Sequence, residues 1–233
     1  MKKIEIKEFG GPEVLEIKNV DIGKPGQNEV LVKNLSIGIN YIDTYHRSGL
    51  YPIPLPSGIG LEACSIIEEV GSEVKLFKVG DRVTRASMPI GTYSEKQIIP
   101  EDKLVKVPDN ISDEVASCIT LKGITAEYLL HRTYQVKKGD KILYHAAAGA
   151  LGQIFCPWAN ALGAEIIGTV GSDEKIEIAK KNGCHHVINY NEKNFVEEVE
   201  KIVGKNGLDV VYDGVGAKTF EGSIEVLKVR GMM

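Results

Sequence analysis

The sequence is poor in tryptophan (one residue), in cysteine (four) and in any surplus of one charge, and each scarcity removes a class of protein. Cys64, Cys118, Cys156 and Cys184 are widely spaced with no CxxC pair, so neither a cysteine-built zinc knuckle nor a redox dithiol is encoded. All four are expected as reduced, buried thiols. With 28 Lys and Arg against 32 Asp and Glu, a net charge of −4 leaves no basic face for nucleic acid. No apolar run approaches the roughly 18 residues of a membrane span. The opening Met1-Lys-Lys-Ile-Glu-Ile6 alternates polar and apolar residues and does not read as a secretory leader. A cytoplasmic protein is expected. Cys184-His185-His186 is the one cluster of possible metal ligands, but neighbours in an extended chain point to opposite faces.

What is present suffices for two cores: 233 residues, 43% of them hydrophobic. Over residues 1–110 the signals are short β-branched alternations at 29–33, 63–70 and 81–84. Glycine and proline break them at 10–12, 24–26, 52–60 and 78–81, which argues for a β-rich, antiparallel, barrel-like domain. Residues 40–46 read as a short helical turn with Asn40 and Asp43 on one side. Residues 112–134 turn helical, with Ser112 able to cap and Gly123 expected to separate two helices. Strand and helix signals then alternate: strands at 141–147, 165–170, 187–190 and 208–212, helices from 151 and at 173–182, 192–203 and 218–227. That alternation predicts an α/β fold with a doubly wound parallel sheet and right-handed crossovers. A last apolar piece at Val229 runs into Arg230-Gly-Met-Met233, where another strand should be entering the sheet. The Rossmann-type sheet is therefore expected to be truncated at the C-terminus, with apolar surface left open over 226–233.

The stretch Lys141-Ile-Leu-Tyr-His-Ala-Ala-Ala-Gly-Ala-Leu-Gly152 is the chemical centre of this pattern. It reads as a strand, a glycine turn and a helix, which lets bare N–H groups meet a pyrophosphate at a positive helix end. The GxGxxG spacing falls on Ala147, Gly149 and Gly152, so the motif is imperfect, and the same pattern also serves a tight βα turn that binds nothing. An alanine at Ala147 can still turn tightly, Gly149 lets the backbone approach phosphates, and Gly152 lets helix and strand pack closely. At the end of the second strand, where an NAD site would carry a carboxylate for the ribose hydroxyls, stand Gly171 and Ser172, with Lys175 one turn on. A hydroxyl and a cation suit a 2′-phosphate, so NADPH is the expected cofactor. Asp173 and Glu174 weigh against it, but acids at a helix start also complement the dipole. Tyr190, at the tip of the third strand, is expected beside the same phosphate or the adenine.

Several longer runs go beyond periodicity: Gly38-Ile-Asn40 with Asp43, Ser48-Gly-Leu-Tyr51, Pro56-Ser-Gly-Ile-Gly-Leu-Glu62, Val79-Gly-Asp-Arg-Val83, Leu121-Lys-Gly-Ile-Thr125, His145-Ala-Ala-Ala-Gly-Ala-Leu-Gly152, Gly168-Thr-Val-Gly171 and Ile188-Asn-Tyr190. Together they make the chain resemble, along its whole length, the zinc-free quinone oxidoreductases of the medium-chain dehydrogenase/reductase superfamily, the zeta-crystallin-like group. The resemblance implies a GroES-like catalytic domain (1–124) joined to a Rossmann NADP-binding domain (125–233), with the cofactor in the cleft between. It implies that Asn40, Asp43, Tyr45 and Tyr51 line the substrate side. Lys122, Thr125, Ala148, Gly149, Ala150, Leu151, Gly152, Gly171, Ser172, Lys175, Tyr190 and Gly216 would then meet the cofactor.

The alcohol dehydrogenase branch is similar but sets cysteine, histidine and cysteine on a catalytic zinc, at places that here hold Asn40, Leu61 and Leu121. Leucine offers no lone pair, and residues 84–93 replace the cysteine-rich structural zinc loop, so no metal is expected. Hydride addition to an electron-poor quinone needs less electrophilic help than alcohol oxidation. The expected activity is NADPH-dependent quinone reduction. An enone or enoyl-thioester reductase, or a non-catalytic NADPH-binding protein of the crystallin or RNA-binding kind, are the alternatives. A homodimer is what the resemblance implies for a complete chain. Two departures bear on cofactor binding. Pro157 falls about six residues into the first Rossmann helix, removing the N–H that would bond Gln153, with an expected kink costing about 3 kcal/mol. Ala150 adds a methyl where the family usually has glycine.

Overall fold

Period-two alternation in the first half of the chain and strand–helix alternation in the second produce two different architectures. The computed structural model describes residues 1–233 and divides into two units, Met1–Leu121 and Lys122–Met233. The first contains β1 (Lys2–Ile6), β2 (Glu16–Asn19), β3 (Glu29–Gly38), β4 (Ser57–Gly58), β5 (Glu62–Val70), β6 (Arg82–Ala86), β7 (Lys96–Pro100) and β8 (Val105–Lys106). They sort into a three-stranded sheet ordered β2-β1-β4 and a five-stranded sheet ordered β7-β3-β5-β6-β8. Every pairing is antiparallel. Val30, Val32, Ile67, Val83 and Ile99 form the buried core of the larger sheet, with Val32 directly opposite Ile67 across the β3–β5 pair.

Helix α1 (Tyr41–Ser48) leaves the end of β3 and stops at Gly49, whose φ of 80° only glycine takes without strain. Helix α2 (Asp113–Tyr128) starts after Ser112, whose Oγ accepts the Val115 N–H at 3.3 Å. The expected break at Gly123 does not occur. The helix runs through it, with open space around the position, and ends in a π-turn over Leu129–Thr133. A single glycine costs about 1 kcal/mol in a helix interior, too little to divide 16 residues.

The second unit carries β9 (Lys141–Tyr144), α3 (Gly152–Ala161), β10 (Glu165–Val170), α4 (Ile176–Lys181), β11 (His186–Asn189), α5 (Phe195–Val203), β12 (Leu208–Tyr212), α6 (Phe220–Glu225) and β13 (Leu227–Met232). Its five strands are parallel and ordered β11-β10-β9-β12-β13. Successive side chains of the central strands enter two separate cores, Ile142, Tyr144, Ile166, Val210 and Tyr212 in one, Leu143, Ile167 and Val211 in the other. This is what period two requires of a sheet covered on both faces. Strand order reverses between β9 and β12, so the carboxyl ends of that pair form the switch point at which doubly wound sheets bind ligands.

The expected helix over 173–182 begins as a tighter 3₁₀ turn, Asp173–Lys175, and α3 passes unbroken through Pro157. Cys64, Cys156 and Cys184 are buried thiols, but Cys118 is exposed on α2. Val226, expected in the open apolar surface, is fully buried, whereas Val229 is 89% exposed on β13. No helix is long and apolar enough to cross a membrane.

Candidate functional site

In the first unit the site grows from the start of α1. Asn40 precedes the helix and is buried, and its Nδ2 donates to Glu62 Oε2 at 2.9 Å. Glu62 is fully buried on β5, and its other oxygen, Oε1, accepts the backbone N–H of Leu121 at 2.7 Å. Asn40 and Leu121, two of the three positions that would carry a zinc ligand in the alcohol dehydrogenase branch, are thus bridged by one carboxylate. That donor set does not suit a cation, because the Leu61 and Leu121 side chains have no lone pairs and both Glu62 oxygens are taken by N–H donors. No group of three or more His, Cys, Asp or Glu elsewhere is arranged to hold a metal.

Asp43, also buried, accepts the Asn40 backbone N–H at 2.9 Å and the Tyr93 phenol at 2.9 Å, both on Oδ2. Burial, with the Asp43 charge adding to it, raises the Tyr93 phenol pKa, so Tyr93 stays a neutral donor. Arg85, itself buried, holds the loop leading to Tyr93: its guanidinium donates to the carbonyl oxygen of Ser87 at 2.8 Å and to the Gln97 side chain. Tyr45 meets Tyr51 edge to face with centroids 5.2 Å apart and Tyr41 likewise at 5.3 Å. Tyr41 and Tyr51 are exposed, so the array offers ring faces to solvent. The structure therefore brings Asn40, Asp43, Tyr45 and Tyr51 onto one helix and its flank. Glu62 and Tyr93, which hold that helix start in place, carry no local sequence signal for the role.

In the second unit the carboxyl end of β9 leads into the glycine turn. The residue at positive φ is Ala146 (58°), one earlier than Ala147, where the tight turn was expected. Ala147 is instead tied down, donating its N–H to the Thr169 carbonyl at 2.9 Å. Gly149 donates back to the Ala146 carbonyl oxygen at 2.8 Å, closing the turn. The N–H groups of Ala148, Ala150 and Leu151 donate to no other group of the chain and stand at the start of α3. A Cβ at Gly152 would lie 2.7 Å from the Ala147 carbonyl carbon, so close packing requires glycine there. At Gly149 an added Cβ meets only the Ala146 oxygen, at 3.0 Å, which leaves the outer side of the turn open. These are the features of a phosphate cradle.

At the end of β10, Ser172 precedes the Asp173–Lys175 turn and Lys175 is exposed at its close. Asp173 is engaged, its Oδ1 accepting from Asn189 Nδ2 at 2.9 Å. Tyr190 stands beside Gly171, its hydroxyl 3.1 Å from where a Cβ would be, and Asn191 Nδ2 donates to the Gly171 carbonyl at 2.7 Å. Gly171, Ser172, Lys175 and Tyr190 thus gather at the carboxyl ends of β10 and β11. Lys122 and Thr125 lie three residues apart on α2, a spacing that puts both on one helix face. Gly216, at φ 84°, lies in the turn after β12 with open space around it.

Residues 26–109 match the family model described as the alcohol dehydrogenase GroES-like domain, and residues 150–233 match the zinc-binding dehydrogenase model. The quinone oxidoreductase of Pseudomonas aeruginosa is 48% identical over 233 residues, which are 100% of this chain and 72% of that protein. The 2-haloacrylate reductase of a Burkholderia species is 47% identical over 97% of this chain and 70% of its own length. Among solved structures, Escherichia coli quinone oxidoreductase complexed with NADPH superposes with a TM-score of 0.96 at 49% identity, covering 100% of this chain and 72% of that one. The chain belongs to the quinone oxidoreductase family of the medium-chain dehydrogenase/reductase superfamily.

Proposed function

We propose that the protein is an NADPH-dependent, zinc-independent quinone oxidoreductase. The observation that carries this reading is the turn from Ala146 to Gly152, with three N–H donors unclaimed by the chain, beside Ser172 and Lys175 at the end of the neighbouring strand. The turn suits a pyrophosphate, and the serine–lysine pair suits a 2′-phosphate. Residues 125–233 would then bind NADPH, and residues 1–124 would present the substrate side. Close relatives named quinone oxidoreductase support the choice of acceptor.

Bound NADPH supplies the hydride. The residues of this chain bind and orient. Ala148 to Gly152 hold the diphosphate, and Ser172 and Lys175 select the phosphorylated ribose. Tyr45 and Tyr51, packed edge to face, give an aromatic surface with phenol groups beside it, suited to holding a quinone ring. Glu62 fixes the plane of the Asn40 amide so that it faces a carbonyl oxygen in one orientation. The cytoplasm suits its free cysteines.

Purified protein is expected to oxidise NADPH with benzoquinone and naphthoquinone acceptors and to bind NADPH more tightly than NADH. Ser172→Asp and Lys175→Ala should abolish that preference. Absence of turnover across the quinone panel would overturn the activity, and equal affinities in the parent chain would overturn the phosphate assignment. A second reading has one observation in its favour, the Burkholderia relative named for reduction of a haloacrylate. A higher kcat/KM for an activated alkene than for any quinone would favour that reading.

A further inference from the structure

His145 is among the buried polar groups that the mechanism above leaves unused. It is 2% exposed, directly before the Ala146 turn, and its ring bonds on both sides. Nδ1 lies 2.8 Å from Thr169 Oγ1 and Nε2 lies 2.9 Å from Ser223 Oγ. Ser223, fully buried on α6, donates to Asp213 Oδ2 at 2.9 Å. Asp213 Oδ1 accepts the backbone N–H groups of Val215 at 2.8 Å and Gly216 at 2.9 Å. Four residues from β10, the end of β9, α6 and the turn after β12 thus form one chain across the switch point.

The direction of that chain follows from its last member. Burial opposes the Asp213 charge, but the N–H groups of Gly216 and Val215 and the hydroxyls of Thr219 and Ser223 outweigh it, so Asp213 is ionised and only accepts. Ser223 spends its one proton on Asp213 and must accept from His145. Nε2 therefore carries the imidazole proton, Nδ1 is an acceptor, and Thr169 donates to it. The Phe195 ring, edge-on to His145 at 5.1 Å, closes the remaining side. Burial lowers the His145 pKa more than Asp213 raises it, which keeps this neutral form.

We propose that His145, as its neutral Nε2–H tautomer, is a positioning residue for the dinucleotide, closing a one-way chain Thr169→His145→Ser223→Asp213 that sets the Ala146–Gly152 turn against the Val215–Gly216 turn. This rests on the NADPH reading above. Its second member, His145, is covalently continuous with Ala146, and its last, Asp213, holds the amide of Gly216. Both loops leave the sheet at the crevice where the family fold takes its ligand.

Asp213→Asn tests the direction of the chain. An amide that keeps its oxygen on the Val215 and Gly216 N–H groups presents NH₂ to Ser223. Ser223 must then donate to His145, and the imidazole proton moves to Nδ1. In the full chain labelled with ¹⁵N-histidine, with the His145 signals identified by their loss in His145→Gln, the parent is expected to show the Nε2–H form and Asp213→Asn the Nδ1–H form. A parent in the Nδ1–H form, or a tautomer unchanged by Asp213→Asn, overturns the proposal. NADPH affinity supplies the second readout. Ser223→Ala, which leaves the His145 ring and an Asp213 oxygen without their partner, should bind NADPH about tenfold more weakly than the parent. If the parent binds NADPH and Ser223→Ala binds it equally, the proposal alone falls. A parent that binds no dinucleotide overturns the NADPH reading and the proposal with it.

Discussion

Single residues differ sharply in what a methyl group would do to them, and the two glycines of the turn show it. At Gly152 an added Cβ meets backbone, 2.7 Å from the Ala147 carbonyl carbon and 2.9 Å from its Cα, and backbone in a closed turn cannot give way. At Gly149 it meets one oxygen at 3.0 Å, and the φ there is not in the left-handed region. Gly152→Ala is therefore expected to lose about 1–3 kcal/mol of stability, the usual cost of overpacking. Gly149→Ala should keep its urea midpoint yet bind NADPH more weakly, because a methyl there crowds the turn proposed to cradle the diphosphate. A Gly149→Ala variant that loses as much stability as Gly152→Ala would show the turn to be structural only. Asn40, Asp43 and these glycines are legible in the sequence because each acts within a few residues of its neighbours. Glu62 and Tyr93 are not: Glu62 reaches Asn40 across 22 positions, and Tyr93 reaches Asp43 across 50. Neither separation leaves a local pattern. The positive φ at Ala146 also escapes reading, since alanine carries no conformational signature of the kind glycine does.

At the scale of elements, β10 and β12 lie where apolar runs bounded by polar turns predict them, 165–170 and 208–212. A fully buried strand in a parallel sheet is nearly continuous in apolar residues and has sharp ends. Helix interiors were less legible, because Gly123 reads as a break and Pro157 as a kink, yet one continuous helix runs through each. Tertiary burial overrides propensity in each case, as with Phe155, Cys156 and Ala159, all fully buried and anchoring α3 on both sides of Pro157. The proline nonetheless leaves the Gln153 carbonyl without its helical donor and faces solvent, so its removal frees strain without opening a cavity. Pro157→Ala is expected to stabilise the protein by about 1–3 kcal/mol, the helix-propensity gain reduced by the greater freedom of the unfolded chain. Urea denaturation measures it, and an unchanged or lowered midpoint would show that α3 has adapted fully to the proline.

For the molecule as a whole, the near balance of charge hides a pH dependence that arises in the buried interior of the second unit. Asp209 and Asp213 are both held below the ordinary carboxylate value. Burial of Asp209 is outweighed by the Lys141 N–H and the Lys228 ammonium, and that of Asp213 by its backbone and hydroxyl donors. Their contribution is complete above the unfolded value of 3.8 and is lost only as pH falls through their lower folded values. His145 acts earlier and with the opposite shift. Its folded pKa is depressed from 6.5 by burial, so below 6.5 the unfolded chain takes up a proton that the folded chain refuses. Stability therefore declines as pH drops from 6.5 toward the folded value, by at most about 1.4 kcal/mol per pH unit for one proton. His145→Gln, which has nothing to titrate, should remove this part of the slope. Unfolding midpoints of the two proteins taken from pH 7 to pH 5 are expected to converge on acidification, the parent falling faster. Parallel slopes would mean that His145 titrates alike in the folded and unfolded chain, and that its burial against Ser223 and Thr169 exerts no control over its proton.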